Sequence, residues 1–109
     1  MDAQLKRGML DACVLAVLSR GDSYGYKLTE DVGKLISVSE STLYPILRRL
    51  ESAGMVTVYS VEHRGRLRKY YSITDAGRRR ITDFLSQWRE VARALQIIEG
   101  EVLGNDHEA

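Results

Sequence analysis

Apolar residues recur along this chain in two rhythms, and the changes of rhythm mark its parts. From about Gln4 to Ser19 the spacing is helical, and the run LDACVLAVL (Leu10 to Leu18) is apolar on nearly every side. A helix without a polar face is covered all round, and a small core rarely surrounds one helix completely. Leu10 and Val14 are therefore expected to meet a partner subunit. Arg20 and Gly21 close this helix, glycine being the residue that favours a left-handed cap. A shorter helix follows in DSYGYKLTEDVGK, with Ser23 or Asp22 as its cap and Leu28, Val32 and Leu35 as its inward stripe. A third helix lies in SESTLYPILRRLESAGMV, where Leu43, Ile46, Leu47 and Leu50 share one face, Ser37 or Ser39 caps the start and Gly54 stops it.

The rhythm then becomes that of strands. MVTVYSVE (Met55 to Glu62) and RKYYSIT (Arg68 to Thr74) are rich in β-branched residues and tyrosine. Gly65, in the intervening HRGRL, supplies the positive φ of a hairpin turn. Helical spacing returns from Asp75 or Ala76 to about Val102, with Ile81, Phe84, Leu85, Trp88, Val91, Ala92, Leu95, Ile98 and Val102 forming a long stripe. A compact body cannot cover such a stripe, and an exposed one invites association. Phe84, Leu85, Trp88, Val91, Leu95 and Ile98, beside Leu10 and Val14, are the expected homodimer interface. Three helices, a strand, a basic turn and a strand are the chain order of a winged helix-turn-helix. The expected fold is mostly α (α+β): a winged helix-turn-helix DNA-binding domain with a two-stranded wing over 1–75, a dimerisation helix over 76–103 and a flexible tail over 104–109.

With 109 residues, 44% hydrophobic and 28% charged, the chain suits one globular domain. No apolar run approaches the ~20 residues that span a membrane, and the start lacks the basic-then-apolar pattern of a signal peptide. The lone Cys13 fits a reducing cytoplasm. Net charge is only +1, but its distribution is uneven. His63 to Arg80 holds seven basic side chains against Asp75 alone, whereas from Glu99 onward there are four acids and no Lys or Arg. A concentrated basic segment presents a positive face to a polyanion.

Enzymatic constellations are missing. His63 sits in a basic turn and His107 in the tail, and neither has metal-ligand spacing from Cys13. With no phosphate-cradling glycine loop or nucleophile motif, no catalytic residue, metal or cofactor is expected. Cys13 reads as a small core residue, since reactive thiols need electropositive, partly exposed surroundings.

The third helix carries the functional signal. Opposite its apolar face stand Ser41, Thr42, Tyr44, Pro45, Arg48 and Arg49, the side-chain types that contact phosphates and base edges in a major groove. Arg64, Arg66, Arg68 and Lys69 would project beside them. Pro45 deletes the hydrogen bond to the Ser41 carbonyl and strains that turn, which is expected to tilt free amides and hydroxyls toward DNA.

LKRGMLDACVLAVLSRGDSYGYKL, STLYPILRRLESAGMV and RLRKYYSITDAGR together resemble the PadR family of bacterial transcriptional regulators, over about residues 4–80. With one final helix the chain resembles the short subfamily. The resemblance implies a homodimeric repressor acting on a pseudo-palindromic operator, often that of its own operon. Ser41, Thr42, Tyr44, Pro45 and Arg48 match the family's recognition-helix motif. Arg68, Lys69 and Tyr70 match its wing strand, and Tyr24 and Tyr26 match the start of its second helix. Ser39, Tyr24 and Lys27 join the candidate DNA-binding set, while Tyr26, Tyr70 and Tyr71 are read as packing residues. The short turn HRGRL departs from the longer glycine-rich wing of many members, so contact with the DNA backbone is expected there rather than deep groove insertion. Some members take phenolic acids or flat aromatic drugs at the dimer interface, which makes Trp88 a candidate for a small aromatic effector, against plain interface packing. The rival readings are a winged-helix protein-interaction module without specific DNA binding, and a small-molecule-binding dimer whose DNA role is secondary.

Overall fold

The computed structural model describes the backbone of residues 2–108 and the side chains of residues 2–104. The chain forms four helices, α1 (Ala3–Leu18), α2 (Gly25–Gly33), α3 (Glu40–Ser52) and α4 (Asp75–Glu108), and three strands, β1 (Ser23–Tyr24), β2 (Val56–His63) and β3 (Arg66–Ile73). The sheet is antiparallel in the order β1-β3-β2. A winged body with one long helix is what the apolar pattern anticipates; β1 is the addition. Ser23 and Tyr24 pair with Tyr71 and Tyr70. They are thus drawn into the sheet, and α2 begins at Gly25 after Tyr24, with no side-chain cap. The expected cap at Ser23 or Asp22 gives way because ladder pairing claims that backbone.

Asp2 caps α1 by accepting from the amides of Gln4 at 2.9 Å and Leu5 at 3.3 Å. Around this helix lies the core: Leu28 and Val32 of α2, Leu43, Ile46, Leu47 and Leu50 of α3, Val56 of β2 and Tyr71 of β3. Leu10 is 4% exposed and Val14 fully buried within the single chain, so neither can serve the partner interface assigned to them. The reason is geometric: α2, α3, β3 and the start of α4 together surround α1. Each such leucine or valine contributes roughly 1.5–3 kcal/mol by burial. Leu35 lies past the end of α2 and is 61% exposed, so the inward stripe stops at Val32. Gly21 has φ 155° rather than the compact left-handed cap, and α1 closes at Ser19.

Gly54 ends α3 at φ 74°, and Arg64 and Gly65 join β2 to β3 at φ 52° and 79°. Both central residues of this two-residue hairpin are thus left-handed, as its twist requires. Gly77 bears on the placement of α4. A Cβ there would run into the Met55 carbonyl and the Ile73 side chain, so only glycine lets α4 start this close to the hairpin. Thr74 braces the same joint, donating to the Gly54 carbonyl at 2.6 Å and accepting from the Gly77 amide at 3.1 Å.

Beyond Trp88, the last residue of α4 that lies against α1, the helix leaves the body, and the molecule extends 69 × 25 × 22 Å. The helix runs past the end expected near 103 to Glu108, there being no proline to stop it. The side chains of 105–109, most of the expected tail with His107, lie outside the described residues.

Candidate nucleic-acid interface

Amphipathic spacing seats α3. Leu43, Ile46, Leu47 and Leu50 are buried, which turns Ser41, Thr42, Tyr44, Pro45 and Arg48 outward. At its start Ser39 works as the cap: its Oγ accepts from the Thr42 amide at 3.3 Å and lies 3.0 Å and 3.1 Å from the hydroxyls of Ser41 and Thr42. Its carbonyl accepts the amides of Thr42 and Leu43. Those two amides are therefore committed within the helix, contrary to the expected free amides, while the three hydroxyls stay exposed as one cluster. Pro45 remains inside the helix and is exposed.

Arg49 does not join that outward face. Its guanidinium donates two hydrogen bonds of 2.7 Å to the two carboxylate oxygens of Asp11 on α1. A planar fork on a carboxylate is a strong, oriented contact, and Asp11 is buried. Arg49 therefore ties α3 to α1 instead of facing outward. An acid inside LDACVLAVL was the available signal, because a buried carboxylate needs a charged or hydrogen-bonding partner.

Between α3 and the wing lies a cleft of about 640 Å³, bounded by Tyr24 of β1, the start of α2 (Gly25, Tyr26), Tyr44, Tyr71 and the wing residues His63, Arg64, Arg68 and Lys69. Five of the expected DNA-binding residues thus converge from three elements. Tyr26 is 64% exposed here, so it faces the cleft and does not pack in the core; Tyr71 is buried as expected. Gly25 is a site residue that sequence reasoning missed: a Cβ there would collide with the Tyr44 hydroxyl. The tyrosine ring rests directly on the backbone of α2.

The wing is held by an aromatic ladder. Arg68 lies 4.0 Å over the Tyr24 ring, Tyr24 meets Tyr70 edge-on at 5.4 Å, and Tyr70 stacks on Tyr59 at 5.6 Å. Tyr59 donates to Asp22 at 2.6 Å, and this bond holds the Asp22 carboxyl below the usual carboxylate range. Arg68 is thereby oriented before any ligand arrives. Three candidates lie elsewhere. Arg66 stands at the wing tip beside Leu67, which is 76% exposed. Lys27 borders a separate hollow with Arg20, Asp22 and Asp31. Ser39 caps its helix.

Burial pushes the Cys13 thiol above its ordinary value, in keeping with a core residue. Among the described residues no group of three or more His, Cys, Asp or Glu side chains is placed to hold a metal ion, and no helix is long and apolar enough to cross a membrane. At the far side of α1, Leu5, Met9, Phe84 and Trp88 line a wholly apolar hollow of about 400 Å³, with the Phe84 and Trp88 rings 5.9 Å apart.

Residues 14–83 match the model of the transcriptional regulator PadR-like family. The transcriptional regulator Rv3488 of Mycobacterium tuberculosis is 32% identical over 102 residues, 93% of this chain and 89% of that protein. The crystal structure of a PadR family transcriptional regulator from Eggerthella lenta superposes with a TM-score of 0.78 at 34% identity, covering 87% of this chain and 85% of that one. Bacillus subtilis PadR, solved in complex with operator DNA, superposes with a TM-score of 0.66 at 28% identity, over 71% of this chain and 46% of that one. This chain spans about half the length of that negative transcriptional regulator. The winged body, its basic wing and these likenesses agree: the chain belongs to the PadR-like family of transcriptional regulators.

Proposed function

We propose that the chain is a homodimeric repressor that binds a pseudo-palindromic operator, its own or a neighbouring operon's, through α3 and the wing. The observation that carries this reading is the cleft in which Tyr24, Tyr44, Arg64, Arg68 and Lys69 meet. A major groove takes a helix that offers hydroxyls, a ring and an arginine, and here Ser41, Thr42, Tyr44, Pro45 and Arg48 are the offered side chains. Arg64, Arg66, Arg68 and Lys69 neutralise phosphates, which makes affinity fall with salt. Two such units on one face of the duplex read half-sites about 34 Å apart. Pairing of α4 through Phe84, Leu85, Trp88, Val91, Leu95 and Ile98, with Leu5 and Met9 in place of Leu10 and Val14, sets that spacing.

A flat aromatic effector fits the apolar hollow at Trp88, and by reorienting α4 it would mismatch the half-sites. Quenching of the single tryptophan's fluorescence by planar ligands tests that part. The DNA reading is tested by fluorescence anisotropy with DNA from upstream of the chain's own gene, at two salt concentrations, against scrambled DNA. Tight, salt-sensitive and sequence-dependent binding is the expected result. Absence of binding at low salt refutes it and favours the protein-interaction module.

A further inference from the structure

The recognition helix has two flanks, and the wing serves only one. On the other flank Thr42 and Pro45 border a second cleft of about 400 Å³, whose opposite wall is the start of α1: Ala3, Lys6 and Arg7. Its floor is mostly apolar, formed by Leu10 and Ile46, with Arg49, neutralised by Asp11, beside them. Lys6 and Arg7 are exposed, and neither is in an ion pair among the described residues; the pairs there are Lys34 with Asp31 and Arg49 with Asp11. The nearby acids are engaged, Asp2 in capping α1 and Asp11 in holding Arg49. A cationic rim over an apolar floor, continuous with the exposed face of α3, fits a chain that alternates anionic groups with apolar rings. A DNA sugar–phosphate strand is such a chain.

Resting on the DNA reading above, we infer that Lys6 and Arg7 form a second phosphate clamp, which grips the backbone strand on the side of α3 opposite the wing while deoxyribose lies against Pro45. The recognition helix is then held from both edges of the major groove. The Asp11–Arg49 bridge contributes by fixing α1 against α3, so the clamp and the reading side chains keep one spacing.

Each phosphate contact removed lowers the slope of log affinity against log salt by about 0.9. The full chain carrying Lys6→Gln and Arg7→Gln should therefore bind operator DNA with a slope shallower by about 1.8, and weaken on operator and scrambled DNA alike. Arg7→Lys keeps the charge and should keep the slope. Hydroxyl-radical footprinting should lose protection on one backbone edge only, with the thermal melt unchanged. An unaltered slope and footprint in the double variant, beside a wild type that binds, would overturn the clamp and leave the DNA reading standing. A wild type that binds no DNA removes both.

Discussion

The winged body and the projecting part of α4 treat the same kind of residue in opposite ways. In the body, Leu15, Leu28, Leu43 and Leu47 are fully buried against one another. Along α4 beyond Ile81, Leu85, Val91, Leu95, Ile98 and Val102 keep about half their surface, Leu95 showing 54%. The body therefore completes its own core within one chain, whereas the helix carries a stripe that a single chain does not cover. On the proposed pairing of α4, stability and assembly are separable, with α1 as the shared wall: one side in the core, Leu5 and Met9 beside Phe84 and Trp88.

That separation predicts the largest contrast. Leu47→Ala should cost about 2–5 kcal/mol of body stability in chemical denaturation, as buried leucines do. Leu95→Glu should leave the folded body intact and instead halve the mass seen by light scattering. A monomeric wild type would remove the contrast. Next in size is the bridge between α1 and α3. Asp11→Ala leaves the partly buried Arg49 without its acceptors and should cost about 1–3 kcal/mol; Asp11→Leu with Arg49→Met should recover much of it. An equal loss in single and double variants would deny the pairing its role.

A smaller effect of opposite sign belongs to the wing tip. Arg64 holds φ 52°, where a non-glycine residue is strained and asparagine is favoured. Arg64→Asn should relieve part of the roughly 1–2 kcal/mol that a left-handed conformation costs an ordinary residue and so raise stability, while weakening DNA binding, the pattern of a residue kept for its charge. Smallest is a pH effect. Asp22 titrates below the ordinary carboxylate range because Tyr59 donates to it, with Ser72 second. Its contribution is thus complete above that ordinary range and is lost as pH falls through the lowered value. Tyr59→Phe should move the Asp22 midpoint upward in an NMR titration, and an unmoved midpoint would mean that the ladder ends at Tyr70.

Much of this was legible in the sequence, for physical reasons that differ by element. Leu43, Ile46, Leu47 and Leu50 announce α3 because helical period and burial coincide there. Gly54 and Gly65 announce the turns because their positive φ is local. What escaped was non-local. Ser23 reads as a helix cap and Tyr24 as the start of a helix until their pairing with Tyr71 and Tyr70, far along the chain, makes them a strand. Leu10 and Val14 looked like partner surface because local pattern does not say how many elements pack around a helix. Arg49 looked like a DNA contact because its acceptor lies 38 residues away.

The division of labour between α3 and the wing is tested most directly by comparing Arg48→Ala with Lys69→Gln on operator and scrambled DNA. Arg48, on the exposed face of α3, is assigned to base reading, and Lys69, on the wing, to phosphate. Arg48→Ala should lose about 1–3 kcal/mol on the operator and little on scrambled DNA, while Lys69→Gln should weaken both equally and flatten the salt dependence. Equal losses for both variants on every sequence would contradict it.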